Sequence, residues 1–421
     1  MDNADVGRLF FILKGHFAPF FNLRRYLWKK EKISNLNSAL IWLGASISIA
    51  EIITGTLFAP MGLKNGIYAI LLGHIIGCVL FYLAGLIGAK TKDSAMETVK
   101  RSYGKKGSVL FSSLNTLQLI GWTAVMIISG ASSASVLVDI PYANTIFSIV
   151  IGLFILLWVL TGITNSEKLN IVAMSGLLIV TFLLAKVIFF GNNSITDLSD
   201  NTLSFGIALE LSIAMPLSWL PLISDYTSNA KDGNKSTLIS TIVYFFGSSF
   251  MYIIGLGAAV ITKETDIAKI MLQAGLGTAG LFIVIFSTVT TTFLDVYSAG
   301  ISAKSIYDRI DSKIFAIITT ILGVILALLT STDKLESFLL FISSVFAPMV
   351  VIQIVDFFVF KKDYKKDDFN FLNLALWLFG FILYRYFLKI NTPIGNTLPV
   401  IFILFIVSVV IKKIIYSNKQ K

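Results

Sequence analysis

The sequence predicts an all-α integral membrane protein with about twelve transmembrane helices. Of its 421 residues, 56% are hydrophobic and only 14% are charged, whereas about 25% of the residues in soluble domains are charged. Apolar stretches of about 20 residues, the length that crosses the hydrocarbon core of a bilayer, recur along the whole chain. These observations exclude an ordinary soluble domain.

We call the apolar stretches segments 1 to 12 in chain order. Their predicted bounds are 38–60, 65–89, 107–137, 142–162, 168–190, 204–224, 236–262, 279–303, 313–330, 336–360, 370–389 and 396–415. The chain then divides into an N-terminal tail (1–37), a ten-helix core (38–360) and a final region (361–421) with segments 11 and 12 and a C-terminal tail. Because two five-segment halves fill the core, we expect segments 11 and 12 to be peripheral.

Basic residues are concentrated on one side of these segments. With the N-terminus inside, the cytoplasmic tails and loops contain 27 of the 34 Lys and Arg residues, and the outer loops and their edges contain 6. This asymmetry follows the positive-inside rule and predicts a protein of the cytoplasmic membrane with both termini in the cytoplasm. The net charge of +10 therefore reflects orientation, and we expect no nucleic-acid partner.

Segments 1 and 6 contain residues that disfavour a continuous helix. Segment 1 carries Gly44, a carboxylate at Glu51 and then Gly55, while segment 6 carries Pro216 and Pro221. The two segments hold matching positions in the two five-segment halves. Broken helices at matching positions indicate the central binding site of a secondary transporter, so the predicted activity is transport of a small solute.

Ionisable groups inside membrane spans are costly and indicate function. Glu51 and Asp295 are the main candidates, although Glu51 has a second interpretation as a cap of the broken helix. His74 is more typical of a hydrogen-bonded packing residue than of a proton relay. Glu210 either faces outer water or the interior, and Asp356 is typical of a contact at a helix end or gate.

Hydroxyl and aromatic side chains complete the candidate site. Thr290 and Thr291 lie in a run of three threonines in segment 8, and hydroxyls combined with main-chain carbonyls suit a hard cation such as Na⁺. The alternative is a hydrogen bond from each threonine to the preceding helical turn. Trp122 in segment 3 and Trp219 in segment 6 lie away from the interfacial belt where tryptophan is usual, and each either stacks on a planar ring or packs in the core.

No signature of an enzyme is present. The two histidines are far apart, Cys78 is the only cysteine, and the sequence contains neither a nucleophile elbow nor a phosphate-binding glycine loop. We therefore expect a protein that is not an enzyme and has no resident cofactor, with Na⁺ or H⁺ as a possible coupling ion.

Four stretches of the chain, in order, resemble the nucleobase–cation symporter-1 family, which contains the purine and cytosine permeases. They are Trp42–Gly62, Leu119–Met126, Pro216–Thr227 and Thr288–Gly300, and they are most similar to the family's CytX-type hydroxymethylpyrimidine transporter subgroup. The resemblance implies a leucine-transporter-type (LeuT) fold, a 5+5 inverted repeat plus two peripheral helices. It also implies a binding site between segments 1, 3, 6 and 8.

The resemblance also assigns roles to individual residues. It implies a cation held by the main-chain carbonyls of Ser46 and Ile49 and the hydroxyls of Thr290 and Thr291. For the substrate it implies a stacking tryptophan and a polar residue that binds the ring, at positions that fall on Trp122 and Asp295.

Two positions depart from the family pattern. Met126 stands where relatives carry a glutamine, and Trp219 is displaced by three residues from the family's second stacking tryptophan, which aligns with Pro216. With these two residues, the predicted substrate set is Glu51, Trp122, Met126, Trp219 and Asp295.

The predicted function is import of a small planar nitrogen heterocycle by symport with Na⁺ or H⁺. Hydroxymethylpyrimidine, a thiamin precursor, is the best candidate substrate, and alternating access would come from rocking of segments 1, 2, 6 and 7 against segments 3, 4, 8 and 9. Cytosine, a purine or a hydantoin are alternative substrates. An amino-acid carrier or a channel of similar architecture is an alternative of a different class.

Overall fold

A computed structural model of the protein describes residues 32–138, 140–161, 167–190, 202–262, 277–309, 311–331, 335–390 and 392–418, with Lys269 and Leu272. Within these ranges the regular structure is helical, except for one bridge between Ile33 and Ala230. Most of the predicted N-terminal tail, residues 1–31, lies outside the described residues. The predicted all-α fold class is confirmed.

Each of the twelve predicted segments contains a helix. Segment 1 comprises Asn35–Ser46 and Ile49–Thr56, and segment 6 comprises Phe205–Ser218 and Ile223–Thr227. The other bounds are Gly62–Thr91, Gly107–Leu137, Ala143–Thr161, Glu167–Phe190, Gly233–Gly257, Gly277–Ile306, Ser312–Leu329, Leu335–Ile354, Phe371–Phe387 and Thr397–Asn418. Segments 7 and 10 continue into π-helical turns, Ala258–Thr262 and Val355–Phe360, and a short helix, Ala95–Tyr103, connects segments 2 and 3.

Most of these helices are long enough to cross a bilayer. Among the described residues, nine are long and apolar enough to do so, and the two helices of segment 1 make a tenth, bent span. Segments 5 and 11 contain shorter apolar helices, Thr181–Phe190 and Phe371–Phe387.

The core consists of two groups of helices. Segments 3, 4, 8 and 9 pack against one another, while segment 7 packs on segments 1 and 2, and segment 2 packs on segment 6. Glycines allow the closest of these contacts. A Cβ at Gly55 would lie 2.2 Å from the Tyr252 carbonyl oxygen, and one at Gly255 would lie 2.0 Å from the Ile52 carbonyl oxygen. The two groups coincide with the sets of segments that the sequence analysis expects to rock against each other.

The break in segment 1 falls at Ile47 and Ser48. The two helices meet at an angle of 45°, and Ser48 is extended (φ −131°, ψ 156°) as the N-cap of the second helix. The Ser48 hydroxyl accepts from the Glu51 N–H at 3.3 Å, and the Glu51 carboxylate accepts from the Ser48 N–H at 3.1 Å. This reciprocal capping box starts a new helix in the middle of the segment.

The break in segment 6 is gentler. The first helix ends at Ser218, the next four residues form turns, and the second helix begins at Ile223. Pro221 lies inside this stretch and has no N–H to donate. Segment 6 therefore exposes main-chain carbonyls at the break while keeping the direction of a single span.

Buried carboxylates anchor peripheral segment 12 at both of its ends. Glu210 is fully buried and accepts from the N–H groups of Asn396 and Thr397 at 2.7 Å each, and from the Tyr384 hydroxyl at 2.5 Å. The interpretation of Glu210 as a water-facing group is therefore wrong, because its carboxylate binds the start of the helix of segment 12.

Asp356 provides the anchor near the other end of segment 12. Its carboxylate pairs with the ammonium group of Lys412 and accepts from the Asn373 side-chain amide at 2.6 Å. Asp356 and Lys412 are both buried. Segment 10 is thus joined to segments 11 and 12 by polar contacts that water does not reach.

Candidate functional site

A cavity lies where the two broken segments face segments 3 and 8. Its empty volume, which includes space open to solvent, is about 330 Å³. Each of the four segments contributes lining residues, which are Ala45, Ser48, Ala50, Glu51, Trp122, Met126, Met215, Ser218, Trp219, Thr291 and Asp295. All five predicted substrate-binding residues line this one cavity.

Two indole rings border the cavity from opposite groups of helices. Trp122 of segment 3 packs edge-on against Phe338 at a centroid distance of 5.4 Å, and Trp219 of segment 6 packs edge-on against Trp42 at 5.5 Å. The Trp122 N–H is buried without a hydrogen-bond partner among the described residues. Trp219 lines the cavity although it lies three residues from the position of the family's second stacking tryptophan. Two aromatic faces and a free N–H suit a flat, polar ring.

Asp295 lines this cavity as a buried carboxyl. Its side chain is 3% exposed, and it accepts no hydrogen bond from any described residue. Burying a carboxyl in this way is costly unless a partner arrives. This group is therefore available to a ligand.

Glu51 is held differently. Its Oε2 accepts from the Ser48 N–H at 3.1 Å and from the Ser48 hydroxyl at 2.9 Å, and its Oε1 accepts from the Tyr244 hydroxyl at 3.3 Å. The capping interpretation of Glu51 is thus seen in the structure, and the same carboxyl also lines the cavity.

Hydroxyls of segment 8 contact main-chain oxygens that the break in segment 1 frees. Thr291 donates to the Gly44 carbonyl at 3.0 Å, and Ser287 donates to the Ile47 carbonyl at 2.8 Å. Ser287 lies one turn before Thr291 on the same helical face, which is the signal by which the sequence could have identified it. An oxygen-only environment of this type suits a hard cation.

The other predicted cation ligands are arranged differently. Thr290 donates to the carbonyls of Phe286 and Ser287 within its own helix. This is the alternative interpretation of the threonines, in which the hydroxyl bonds to the preceding helical turn. The hydroxyl of Ser46 donates to the Leu43 carbonyl. The cation roles of Ser46, Ile49, Thr290 and Thr291 all stay predictions.

The side of the cavity that we predict to be cytoplasmic is closed by hydrogen bonds between the two groups of helices. In segment 3, Asn115 donates to the Pro221 carbonyl at 3.2 Å and Gln118 donates to the Ser218 carbonyl at 3.4 Å. Tyr226 donates to the Leu294 carbonyl of segment 8 at 3.2 Å. The carbonyls exposed by the break in segment 6 accept two of these three hydrogen bonds, and we predict that the three act together as a gate.

We expect Asn115→Ala to favour the state that is open on this side. Of the three hydrogen bonds of the Asn115 side chain, only the one to the Pro221 carbonyl joins the two groups of helices, and its loss is worth about 1 kcal/mol, which corresponds to a population shift of about fivefold. The rate at which an impermeant maleimide modifies a single cysteine, Ser298→Cys in a Cys78→Ala background, measures the shift. Thr116→Ala is the control, because that hydroxyl bonds within its own helix. Equal rates in both variants would contradict the gate.

Comparisons with known proteins agree with this architecture. Residues 29–376 match a family model described as a permease for cytosine/purines, uracil, thiamine, allantoin. The chain is 24% identical over 330 residues to a cytosine permease of Escherichia coli K12, covering 77% of this chain and 78% of that protein. It is also 24% identical over 347 residues to the putative purine-cytosine permease YxlA of Bacillus subtilis 168, covering 76% of this chain and 74% of YxlA.

Solved structures show the same fold. Mhp1, a nucleobase-cation-symport-1 family transporter in a closed conformation with bromovinylhydantoin bound, matches with a TM-score of 0.76 at 17% identity, covering 92% of this chain and 94% of Mhp1. A Na⁺-coupled sialic acid symporter matches with a TM-score of 0.64 at 15% identity, covering 96% and 95%. The predicted transporter fold is confirmed. The chain belongs to the family of permeases for cytosine and purines, uracil, thiamine and allantoin, and is a multi-pass membrane transporter rather than an enzyme.

Proposed function

We propose that this permease imports a small planar aminopyrimidine, with hydroxymethylpyrimidine as the leading candidate, by symport with a cation across the cytoplasmic membrane. The observation that carries the proposal is the unsupported carboxyl of Asp295 in a cavity bordered by Trp122 and Trp219. A carboxylic acid accepts from an exocyclic amine through its carbonyl oxygen and donates its O–H to the adjacent ring nitrogen. The indoles cover the ring, and stacking of this type is worth about 1–3 kcal/mol per base.

Met126 and Met215 complement this polar edge. Both line the cavity, and methionine makes adaptable, apolar contacts with rings. A methyl-substituted pyrimidine presents an apolar edge to such side chains, while its amino edge faces Asp295. This division favours hydroxymethylpyrimidine over more uniformly polar bases.

Cytosine is the second candidate, because the E. coli relative is a cytosine permease and cytosine carries the same amine beside a ring nitrogen. An amino-acid substrate is disfavoured. The N–H and hydroxyl of Ser48, which a substrate carboxylate would need at the broken helix, are already bonded to Glu51.

Competition for uptake separates these substrates. The purified protein in vesicles should take up labelled hydroxymethylpyrimidine, and unlabelled cytosine, adenine, a hydantoin and leucine serve as competitors. We expect hydroxymethylpyrimidine to compete at concentrations at least about tenfold lower than the others, a difference of about 1.4 kcal/mol. Stronger competition by leucine than by every heterocycle would contradict the proposed substrate class.

We also propose that the coupling cation binds between the break of segment 1 and the helix of segment 8, at the predicted carbonyls of Ser46 and Ile49 and hydroxyls of Thr290 and Thr291. Support comes from the hydrogen bonds that already join these segments, from Thr291 to Gly44 and from Ser287 to Ile47. A cation there would fix the bent shape of segment 1 and with it the position of Glu51. Substrate and cation would then favour the same state.

We expect Thr291→Ala to raise the sodium concentration for half-maximal uptake about tenfold, since one oxygen ligand is worth about 1–2 kcal/mol. Thr292→Ala is the matched control, because the Thr292 hydroxyl donates to the Thr288 carbonyl within its helix. Uptake by vesicles with and without a sodium gradient provides the measurement. Equal sodium dependence in the two variants would contradict a ligand role for Thr291.

A further inference from the structure

Tyr244 of segment 7 lies outside the cavity and contacts both broken segments. Its side chain is fully buried and is not among the described residues that line the cavity. The hydroxyl donates to Oε1 of Glu51 at 3.3 Å, and the ring packs edge-on against the indole of Trp219 at a centroid distance of 6.3 Å. Glu51 belongs to segment 1, Trp219 belongs to segment 6, and both line the cavity. One side chain outside the cavity therefore contacts a cavity residue on each broken segment.

The hydroxyl of Tyr244 completes the support of the Glu51 carboxyl. Oε2 of Glu51 accepts from the N–H and the hydroxyl of Ser48, within the capping box. Oε1 accepts from Tyr244, which lies on a different segment. Because donors from two segments hold the two oxygens, the plane of the carboxyl group is fixed. Each oxygen of a carboxylate has two acceptor positions, so Oε1 can accept from a ligand as well as from Tyr244.

The ring of Tyr244 belongs to a buried aromatic cluster. It stacks on Phe81 at a centroid distance of 5.5 Å and packs edge-on against Trp42 at 5.9 Å. Trp42 in turn packs edge-on against Trp219 at 5.5 Å. Segments 1, 2, 6 and 7 each contribute a ring to this cluster, and aromatic pairs of this kind prefer defined relative orientations. Tyr244 thus restrains the Trp219 indole directly and also through Trp42.

Backbone contacts hold the helix of Tyr244 against both helices of segment 1. A Cβ at Gly247, three residues after Tyr244, would lie 2.0 Å from the hydroxyl oxygen of Ser46, at the end of the first helix. In the second helix, a Cβ at Gly55 would lie 2.2 Å from the Tyr252 carbonyl oxygen. Glycine is the residue that permits such an approach. Segment 7 therefore supports segment 1 on both sides of its break.

We propose that Tyr244 is a positioning residue for substrate binding, which aligns the Glu51 oxygen with the Trp219 indole before the substrate arrives. Oε1 of Glu51 then accepts from a donor at the edge of the heterocycle while Trp219 covers its face. Preorganisation of this kind raises affinity, because less ordering of side chains is needed on binding. These substrate contacts rest on the proposed function. The donor is the hydroxyl of hydroxymethylpyrimidine or the ring N–H of cytosine, which leaves the amine to Asp295.

Tyr244→Phe removes the hydroxyl and keeps the ring. We expect the substrate concentration for half-maximal uptake to rise about tenfold, as for one lost hydrogen bond to a charged group, with a nearly unaltered maximal rate. A fraction of misfolded protein would lower the maximal rate instead. Tyr252→Phe is the matched control, because Tyr252 is fully buried on the same helix and its hydroxyl has no hydrogen-bond partner among the described residues. Equal effects of the two variants on half-maximal uptake would overturn the proposal.

A double variant tests whether Tyr244 acts through Glu51. Glutamine at position 51 still accepts from Ser48 and preserves the capping box, but it presents an amide NH₂ in place of Oε1. We expect Glu51→Gln alone to weaken equilibrium binding at least about tenfold, and Tyr244→Phe to change the affinity of the Glu51→Gln protein by less than about threefold. Losses that multiply would show a general packing role and overturn the proposal. Unaltered binding by Glu51→Gln would overturn it as well, even if Tyr244→Phe does not fold.

The choice of ligand separates this proposal from the proposed function. Binding of cytosine, uracil, adenine, allantoin, thiamine and hydroxymethylpyrimidine to the full chain in lipid is measured first, and the tightest ligand is used with every variant. If that ligand is not an aminopyrimidine, the proposed substrate is wrong. The comparison of Tyr244→Phe in the unaltered and the Glu51→Gln backgrounds then still decides the role of Tyr244 with that ligand.

Discussion

Asp295→Leu is expected to abolish binding of the substrate and at the same time to stabilise the protein. Asp295 is buried, lines the cavity and accepts no hydrogen bond from the described residues. Loss of this carboxyl leaves the polar edge of a heterocycle unpaired. Sites that hydrogen-bond such an edge lose about 10⁴-fold or more in discrimination when one partner is missing. We expect the affinity of Asp295→Leu for the substrate to fall at least about 100-fold.

The stability effect has the opposite sign. A buried carboxyl without a partner is costly to the folded protein, and an apolar side chain of similar size removes that cost. The thermal midpoint of ligand-free Asp295→Leu should therefore equal or exceed that of the unaltered protein. Equilibrium binding of labelled hydroxymethylpyrimidine and cytosine, together with thermal unfolding in detergent, gives both quantities. Thr292→Val, a buried change on the same helix, is the control.

Asp295→Asn refines this result. An asparagine accepts through its oxygen and donates through its amide, so it pairs with a neutral ring that offers one donor and one acceptor. An affinity within about tenfold of that of the unaltered protein would indicate a ligand edge with one donor and one acceptor. A loss of affinity as large as that of Asp295→Leu would indicate a ligand edge with two donors. Binding unchanged in both variants would contradict a ligand role for Asp295.

The site could be located from the sequence because its signals are local. The Ser48 and Glu51 pair is a capping signature within three residues, and Pro216 and Pro221 lie next to the second break. Both breaks are properties of short stretches of chain. Matching positions in two halves then predict that the breaks face each other, and the cavity between Glu51 and Asp295 agrees.

Contacts between distant stretches were not predictable in the same way. Glu210 bonds to residues 186 and 187 positions away, and nothing in its neighbourhood indicates that partner. The hydrogen bond of Ser287 to the Ile47 carbonyl spans 240 positions. Such pairs depend on which helices are neighbours in space, and a single sequence with apolar segments of similar composition does not specify that order.

Lys412 shows how a sound rule misses an individual residue. It counts toward the basic residues of the predicted cytoplasmic side, yet its side chain is 0% exposed and pairs with Asp356. The positive-inside rule describes the sum over tails and loops. The prediction of orientation therefore does not depend on Lys412, which takes part in a buried contact.

Lys412→Met is accordingly expected to be among the most destabilising substitutions outside the site. Removal of the ammonium group leaves Asp356 buried without its charged partner, although the Asn373 amide still donates to it. Breaking a buried ion pair on one side costs about 3–5 kcal/mol, while replacing both partners is often close to neutral. We expect the double variant Asp356→Asn with Lys412→Met to recover most of the loss, because an asparagine at 356 can still accept from Asn373.

Thermal unfolding of the single and double variants in lipid, with uptake measured in parallel, distinguishes an anchor from a functional residue. Because segments 11 and 12 lie outside the two core groups, the double variant should transport with nearly unaltered affinity for substrate and sodium. Lys413→Met, at the neighbouring exposed position, should leave stability unchanged within about 0.5 kcal/mol. A double variant as unstable as Lys412→Met would show that the charge on Lys412 does more than neutralise Asp356, whereas recovery would establish that Lys412 and Asp356 act as a compensated pair at this end of segment 12.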